Sequence, residues 1–374
     1  EMFRRTVKQF VNNEIRPQSA HWDKSEEFPR RAFKEMARLG ITTATIPQEH
    51  GGMGMDCVTA GIAAEEMGRG DMSCAQFVVM GGLMGSLISE HATERVKKEW
   101  LPRFVEGDAV IALALTEPGA GSDAANIKLK AEKDGDQYVL NGEKTSTTSG
   151  YVCEAAIIFA RTNPSPGARG VTAFLVPMDL PGIQRTRFKD LGHRAVARGS
   201  LFFDNVRVPA DHILRGEGQG FYQVMKGFDF SRALLGLMCI GCAQQTVEDT
   251  IRYVKERSAF GMPIAKFEGV SFPIAEALTL LDAARWQCYR TLWLKDNNLP
   301  HTSEAAMCKW WGPKISVDII HDMLLLHGHY GYTDEFPVEQ RLRDVIGMEI
   351  GDGTAQVCKI VIARENIGKE FRPY

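Results

Sequence analysis

An excess of charge of either sign is what this 374-residue chain most lacks: 44 lysines and arginines stand against 47 aspartates and glutamates, for a formal net charge of -3. Without a basic field, nucleic acid and anionic membrane surfaces find no electrostatic partner here. The sequence also has no uninterrupted apolar run of about 18 residues, the length a bilayer-crossing helix needs, so no membrane span is expected. Nothing resembles a signal peptide, and the helical period already begins in Glu1–Ile15, so a short segment is expected to precede Glu1. The eight cysteines (Cys57, Cys74, Cys153, Cys239, Cys242, Cys288, Cys308, Cys358) show no paired metal-type spacing, and no metal site is expected. Cys239 and Cys242 form a Cys-x-x-Cys, but inside the apolar stretch Ala233–Ala243, which points to packing rather than a redox pair. Unpaired cysteines suit a reducing compartment, and the expected location is cytoplasmic.

What is present divides into three blocks, consistent with a length that suits two or three domains. Over residues 1–108 apolar residues recur at three and four along Met2–Ile15, Arg31–Leu39, Val58–Met67, Ser73–Ile88 and Thr93–Phe104, which predicts an all-α domain. Over 109–219 the period changes to two, in Ala109–Leu115, Ile127–Glu132, Gln137–Leu140, Ala155–Arg161, Val171–Val176 and Ser200–Val206. Asp134-Gly135-Asp136 and Asn141-Gly142 read as hairpin turns, so a middle antiparallel, barrel-like β domain is expected. Over 220–374 long helical patterns return in Phe221–Ser258, Glu268–Asn297, Ser303–His327, Pro337–Met348 and Thr354–Phe371, as in an antiparallel four-helix bundle. The fold class is therefore α+β, in the order α, β, α.

Two segments carry the chemistry. Asp352 lies between Gly351 and Gly353 in Met348–Gln356, just ahead of an apolar helical run. A lone acid there can be held by the positive end of a helix while the glycines admit a substrate closely, which suits a catalytic base; the competing reading is a helix-capping aspartate. Leu113–Asp123 leaves a strand into a turn of small residues, Gly119, Ala120 and Gly121, whose backbone N–H groups can face a ligand beside the hydroxyls of Thr116 and Ser122.

The string Leu113–Asp123 resembles the first signature of the acyl-CoA dehydrogenases, whose domain order is also α, β, α. The resemblance continues in Asn141-Gly142-Glu143-Lys144, Phe203–Pro209, Phe228–Arg232, Arg257–Gly261 and Gly331–Glu339. It implies a FAD-containing enzyme, usually a homotetramer, that takes a proton from Cα and a hydride from Cβ of an acyl-CoA and passes electrons to an electron-transfer flavoprotein. Carried over residue by residue, Leu113, Leu115, Thr116, Gly121 and Ser122 would line one side of the flavin, with Ser146 and Thr148 at its ring. Arg257, Phe260 and the stretch Leu325–His329, including Gly328 and His329, would reach the FAD of a neighbouring subunit, and Thr354 and Gln356 would complete the cofactor site. Ser122, Asp229, Arg232, Gly351, Gly353 and Arg364 would contact the substrate or its CoA part, with Asp352 as the base.

The chain departs from the family pattern at the reactive end. Most relatives carry glutamate where Asp352 stands, usually after a tyrosine where this chain has Gly351; another branch moves the glutamate to the position of Ser231, which cannot be a base. Ser146 replaces an aromatic residue common beside the flavin. A base one methylene shorter in a widened pocket points to an acyl group bulky at Cα and Cβ: an alicyclic acyl-CoA such as cyclohexanecarboxyl-CoA first, an α-branched or aryl-substituted one second. The helix segment Ala75–Gly85 has no lysine or arginine to pair with a second carboxylate, which disfavours dicarboxylic acyl-CoAs. An oxidase or a reductase would share nearly all these residues. A DNA-binding flavoprotein of the same fold would want a basic patch that the composition does not supply.

Overall fold

The computed structural model describes residues 1–164 and 167–371; residues 372–374, the end of the expected third domain, lie outside the described residues, as do residues 165–166. The first domain holds α1 (Met2–Phe10), α2 (Ser19–Ser25), α3 (Arg30–Arg38), α4 (Cys57–Gly68), α5 (Met72–His91) and α6 (Glu94–Val105). Side chains open the last three: Asp56 accepts from the Thr59 N–H (2.7 Å), Asp71 from Cys74 (2.8 Å) and Thr93 from Val96 (3.4 Å). α5 is long and apolar enough to cross a bilayer, contrary to the sequence expectation, but most of it is buried inside the protein. Its apolar surface runs around the whole circumference because neighbours cover it on all sides. α2 escaped the sequence reading, since Ser19–Ser25 is too short to show a period.

The middle domain is a seven-stranded sheet of β1 (Ile111–Ala114), β2 (Lys130–Asp134), β3 (Gln137–Thr147), β4 (Ala155–Arg161), β5 (Val171–Pro177), β6 (Ile183–Arg187) and β7 (Gly199–Pro209). The order is β1-β4-β2-β3-β7-β6, with β5 on β4. Pairing is mostly antiparallel, but β1 and β4 run parallel from Ile111↔Ala155 to Ala114↔Ile158, and β2 meets β4 in parallel at Lys130↔Arg161. The β2–β3 hairpin intervenes between β1 and β4, so the chain re-enters the sheet in its original direction. Asp134-Gly135-Asp136 makes that hairpin turn. Asn141-Gly142 does not turn the chain: it lies inside β3, where the register with β7 slips between Leu140 and Gly142 and Gly142 adopts φ +139°. A positive-φ glycine serves a β-bulge as well as a hairpin, and only the partner strand distinguishes them.

The third domain is α7 (Gly220–Glu256), a short ribbon of β8 (Ser258–Ala259) and β9 (Met262–Pro263), then α8 (Glu268–Asp296), α9 (Thr302–Leu326), α10 (Val338–Met348) and α11 (Ala355–Asn366). α7, α8, α9 and α11 form the expected bundle. Gly312 and Gly236 set the α7–α9 approach: a Cβ on Gly312 would stand 2.9 Å from the Gly236 Cα. Cys239 and Cys242 are buried and unpaired, as are five of the other six cysteines, Cys57 being half-buried.

Candidate functional site

The three domains meet around a cavity of about 410 Å³. α5, the β1 end and its following turn, β3, the loop 190–198, the first half of α7 and the Met348–Gly353 loop supply its walls. Of the residues singled out in the sequence, it brings together Leu113, Leu115, Thr116, Gly121, Ser122, Ser146, Thr148, Arg232, Gly351, Asp352 and Gly353.

On the β side, one buried ion pair fastens the turn after β1. Glu117 accepts from the backbone N–H of Lys128 (2.5 Å) and Leu129 (2.9 Å). Lys144, wholly buried on β3, donates to Glu117 (2.7 Å) and to the Leu115 carbonyl (3.0 Å). Burial pulls the Lys144 ammonium down to about 8, against the pull of Glu117. The Thr145 N–H also bonds the Thr116 carbonyl (2.9 Å). The resulting shelf is rigid below and open above: a Cβ on Gly119 or Gly121 would meet nothing within 4 Å. A flat ring system can therefore lie against this backbone beside the hydroxyl-bearing Thr116, Ser122 and Thr148, and these residues fit FAD. Ser146, at φ +56°, accepts from Arg198 (2.9 Å), whose guanidinium is also paired with Asp190. The cation of Arg198 thus borders the space that an aromatic side chain at Ser146 would fill.

Opposite this shelf, Asp352 sits at φ +54° in the turn between α10 and α11. It does not cap α11. That role belongs to Thr354, whose hydroxyl accepts from the Val357 N–H (3.4 Å). The Asp352 carboxylate instead accepts from the Ser231 hydroxyl (3.2 Å), and the Asp352 carbonyl accepts from Arg232 (3.4 Å). Lys309, fully buried on α9, donates to the Met348 carbonyl (2.8 Å) at the last turn of α10, where a cation meets the negative end of the helix. Withdrawal from bulk water raises the Asp352 carboxyl above its ordinary range; Lys309, Arg232 and the Ser231 hydrogen bond pull the other way. Beside it, a Cβ on Gly351 would find only the Gly347 carbonyl, at 3.9 Å, so the space next to the acid is open.

Other sequence candidates lie off the cavity wall. Asp229 pairs with Arg232 (3.4 Å) and accepts from Thr302 (2.6 Å). Arg364 pairs with the adjacent Glu365 (2.9 Å). Gln356 is exposed on α11, and Thr354 is engaged as its cap. Arg257, Phe260, Leu325, Gly328 and His329 are exposed on the bundle surface, Phe260 at 92%. His327 is buried, stacked on Tyr253 with ring centroids 4.3 Å apart. No group of three His, Cys, Asp or Glu residues that could hold a metal occurs among the described residues.

Sequence reading missed His193, Arg198 and the buried Lys309 of the cavity and its frame, and gave Gln76, inside the segment Ala75–Gly85, no role of its own. Lys309 left one signal, a lone cation in the apolar run Met307–Trp311. His193 left none, because a single histidine in a polar loop has no periodicity to break.

Comparison with known proteins gives this geometry a family. Residues 1–108, 112–206 and 218–367 match the N-terminal, middle and C-terminal domains of acyl-CoA dehydrogenases. The mitochondrial short-chain specific acyl-CoA dehydrogenase of Bos taurus is 36% identical over 97% of this chain and 89% of its own length. The acryloyl-CoA reductase (NADH) of Anaerotignum propionicum is 35% identical over 98% of this chain and 93% of its own. The solved structure of butyryl-CoA dehydrogenase from Megasphaera elsdenii superposes with a TM-score of 0.94 at 30% identity, covering 98% of this chain and 97% of that one. With all three domains matched and the cavity at their junction, the chain belongs to the acyl-CoA dehydrogenase family, FAD-dependent oxidoreductases that act on CH–CH bonds.

Proposed function

We propose that this enzyme catalyses α,β-dehydrogenation of an alicyclic acyl-CoA, with cyclohexanecarboxyl-CoA as the leading example and Asp352 as the base that removes the α-proton. The observation that carries the reading is the acid itself: a cavity-lining carboxylate, released from helix capping by Thr354 and flanked by the open space at Gly351. A proton α to a thioester is too weakly acidic to leave unaided, so a positioned base must meet donors that hold the developing enolate oxygen. The Asp352 backbone N–H is the donor this chain offers. Bound FAD supplies the acceptor for the hydride that leaves Cβ. Ser231 and Arg232 hold Asp352 in place, and Lys309 anchors the turn that carries it.

An aspartate is shorter than a glutamate by one C–C bond, and a misplacement of about 1 Å can lower a rate on the order of a hundredfold. A ring fused across Cα and Cβ fills the space at Gly351 and carries its α-proton toward the shorter base. A branched or aryl-substituted acyl group is the second reading, from the same space. Leu113, Leu115, Thr116, Gly121, Ser122, Ser146 and Thr148 are assigned to the flavin, and Ser122, Asp229, Arg232, Gly351, Gly353 and Arg364 to the substrate or its CoA part. Arg257, Phe260, Leu325, Gly328 and His329 serve the FAD of a neighbouring subunit in a homotetramer, and Thr354 and Gln356 complete that site. The exposure of Phe260 and Leu325, and of Phe272, Trp286 and Trp293 on α8, supports such an assembly. Electrons then pass to an electron-transfer flavoprotein, and the unpaired cysteines suit the cytoplasm.

Anaerobic bleaching of the flavin by a panel of acyl-CoAs tests the substrate. Cyclohexanecarboxyl-CoA should bleach it faster than butyryl-CoA or glutaryl-CoA. Bleaching by straight-chain thioesters alone would overturn the alicyclic assignment, and rapid peroxide formation without an added acceptor would make the enzyme an oxidase.

A further inference from the structure

Two polar side chains in the cavity wall are left without partners. Among the described residues, Gln76 Oε1 and both ring nitrogens of His193 are buried and make no hydrogen bond, and no other cavity-lining side chain has a buried polar atom in that state. Buried polar groups are nearly always satisfied, so an unpartnered pair facing one ligand cavity needs an explanation.

His193 is not loosely placed. Its backbone N–H donates to the Asp344 carboxylate (2.6 Å), and it holds a left-handed conformation at φ +51°. Gly192 before it lies so close to α10 that a Cβ there would stand 2.4 Å from the Arg343 carbonyl. The loop is thus clamped to α10, and the imidazole edge faces Gly347, where a Cβ would stand 3.8 Å from its Cδ2. The residue is 8% exposed, and burial lowers the imidazole pKa to about 4, so at neutral pH the ring is uncharged, with one N–H and one lone pair to offer. α5, which carries Gln76 on its second turn, packs against the turn Arg194–Val196 that follows His193.

The distance from the reacting carbons is fixed by α10. The Gly351 N–H bonds the Gly347 carbonyl (3.2 Å), so one helical turn, about 5.4 Å, separates the contact point of His193 from the residue beside the base. That is comparable with the reach from the α carbon of a six-membered ring to a substituent on its far side. A negatively charged substituent finds no free cation among the described lining residues: Arg198 is engaged by Asp190, Arg343 by Asp23 and Glu339, and Arg232 by Asp229. A hydroxyl answers both residues, because it accepts from an imidazole N–H and donates to an amide oxygen.

We propose that the acyl group this enzyme takes carries a hydroxyl on the part remote from the thioester, and that His193, assisted by Gln76, recognises it. The proposal deepens the alicyclic reading and rests on it for the ring, but not for the hydroxyl.

Matched pairs separate the two. Turnover with an artificial electron acceptor and anaerobic flavin bleaching are measured with cyclohexanecarboxyl-CoA and its 4-hydroxy derivative, and with a straight-chain acyl-CoA and its terminally hydroxylated counterpart. In the wild-type enzyme kcat/KM should favour the hydroxylated member of the cyclic pair on the order of tenfold or more, since a site built to bond a hydroxyl discriminates against its absence. In His193→Leu that ratio should fall to near one, and in His193→Gln part of it should return. Gln76→Leu, which leaves the clamped loop alone, should lower the ratio if His193→Leu fails to fold. Equal kcat/KM for both members in the wild type overturns the proposal. So does loss of FAD from His193→Leu, which would assign the imidazole to the cofactor. If neither cyclic thioester bleaches the flavin while the straight-chain pair shows the hydroxyl preference, the ring assignment fails and the recognition stands.

Discussion

As the proposed base, Asp352 has a side chain one methylene shorter than a glutamate, and its titration follows from its neighbours. A base acts only when ionised, so kcat/KM falls as pH drops through its pKa. Withdrawal from water raises that pKa, and the acid limb of the profile should therefore lie at higher pH than an ordinary aspartate gives. Ser231→Ala removes a donor to the charged form and should move the limb higher still, as a pH profile of kcat/KM will show; an unmoved limb would mean that another group titrates. Gly351 tests the space itself. Its would-be Cβ is unobstructed, so Gly351→Tyr should fold, lower kcat/KM for cyclic acyl-CoAs by about tenfold or more, and spare straight-chain ones. A tyrosine variant that handles cyclic substrates unchanged would show that the ring lies elsewhere.

Among the elements, the turn after β1 depends on the Lys144–Glu117 pair. Lys144→Met leaves a buried carboxylate without its cation, which typically costs about 3–5 kcal/mol. The expected result is a lowered melting temperature with weakened FAD retention, and Glu117→Gln in the same chain should recover part of both; thermal unfolding followed with flavin fluorescence reads them together. Much of this scale was legible in advance, because long helices and buried strands announce themselves by period: α8 and β4 begin where the pattern begins. The misses have separate causes. Asn141-Gly142 has the composition of a turn, yet β7 pairs across it and makes it a bulge; β6 exposes every second residue and has too few apolar positions to register. The site divided the same way. The cradle and Asp352 lie in contiguous strings, whereas Ser231 meets Asp352 across 121 positions, and His193 gains its meaning from the cavity alone.

For the whole molecule, α8 leaves Trp286 and Trp293 largely exposed on a helix that the bundle covers from one side only. A tetramer would bury them and bring Arg257 and Phe260 to a neighbour's cofactor. Trp286→Asp with Trp293→Asp should therefore yield smaller species in analytical ultracentrifugation and lose FAD in parallel; dissociation with full flavin content would contradict the shared site. The cavity likewise belongs to no single domain: α5 walls it, the sheet supplies a shelf that fits a flavin, and the α10–α11 turn brings the acid. That convergence on one carboxylate is most directly tested by Asp352→Asn, which keeps size and removes the charge. Stopped-flow anaerobic reduction by cyclohexanecarboxyl-CoA should slow by about a thousandfold or more while FAD stays bound, in keeping with the loss of a general base. Reduction near the wild-type rate in that variant would contradict the account, because the α-proton would then be leaving by another route.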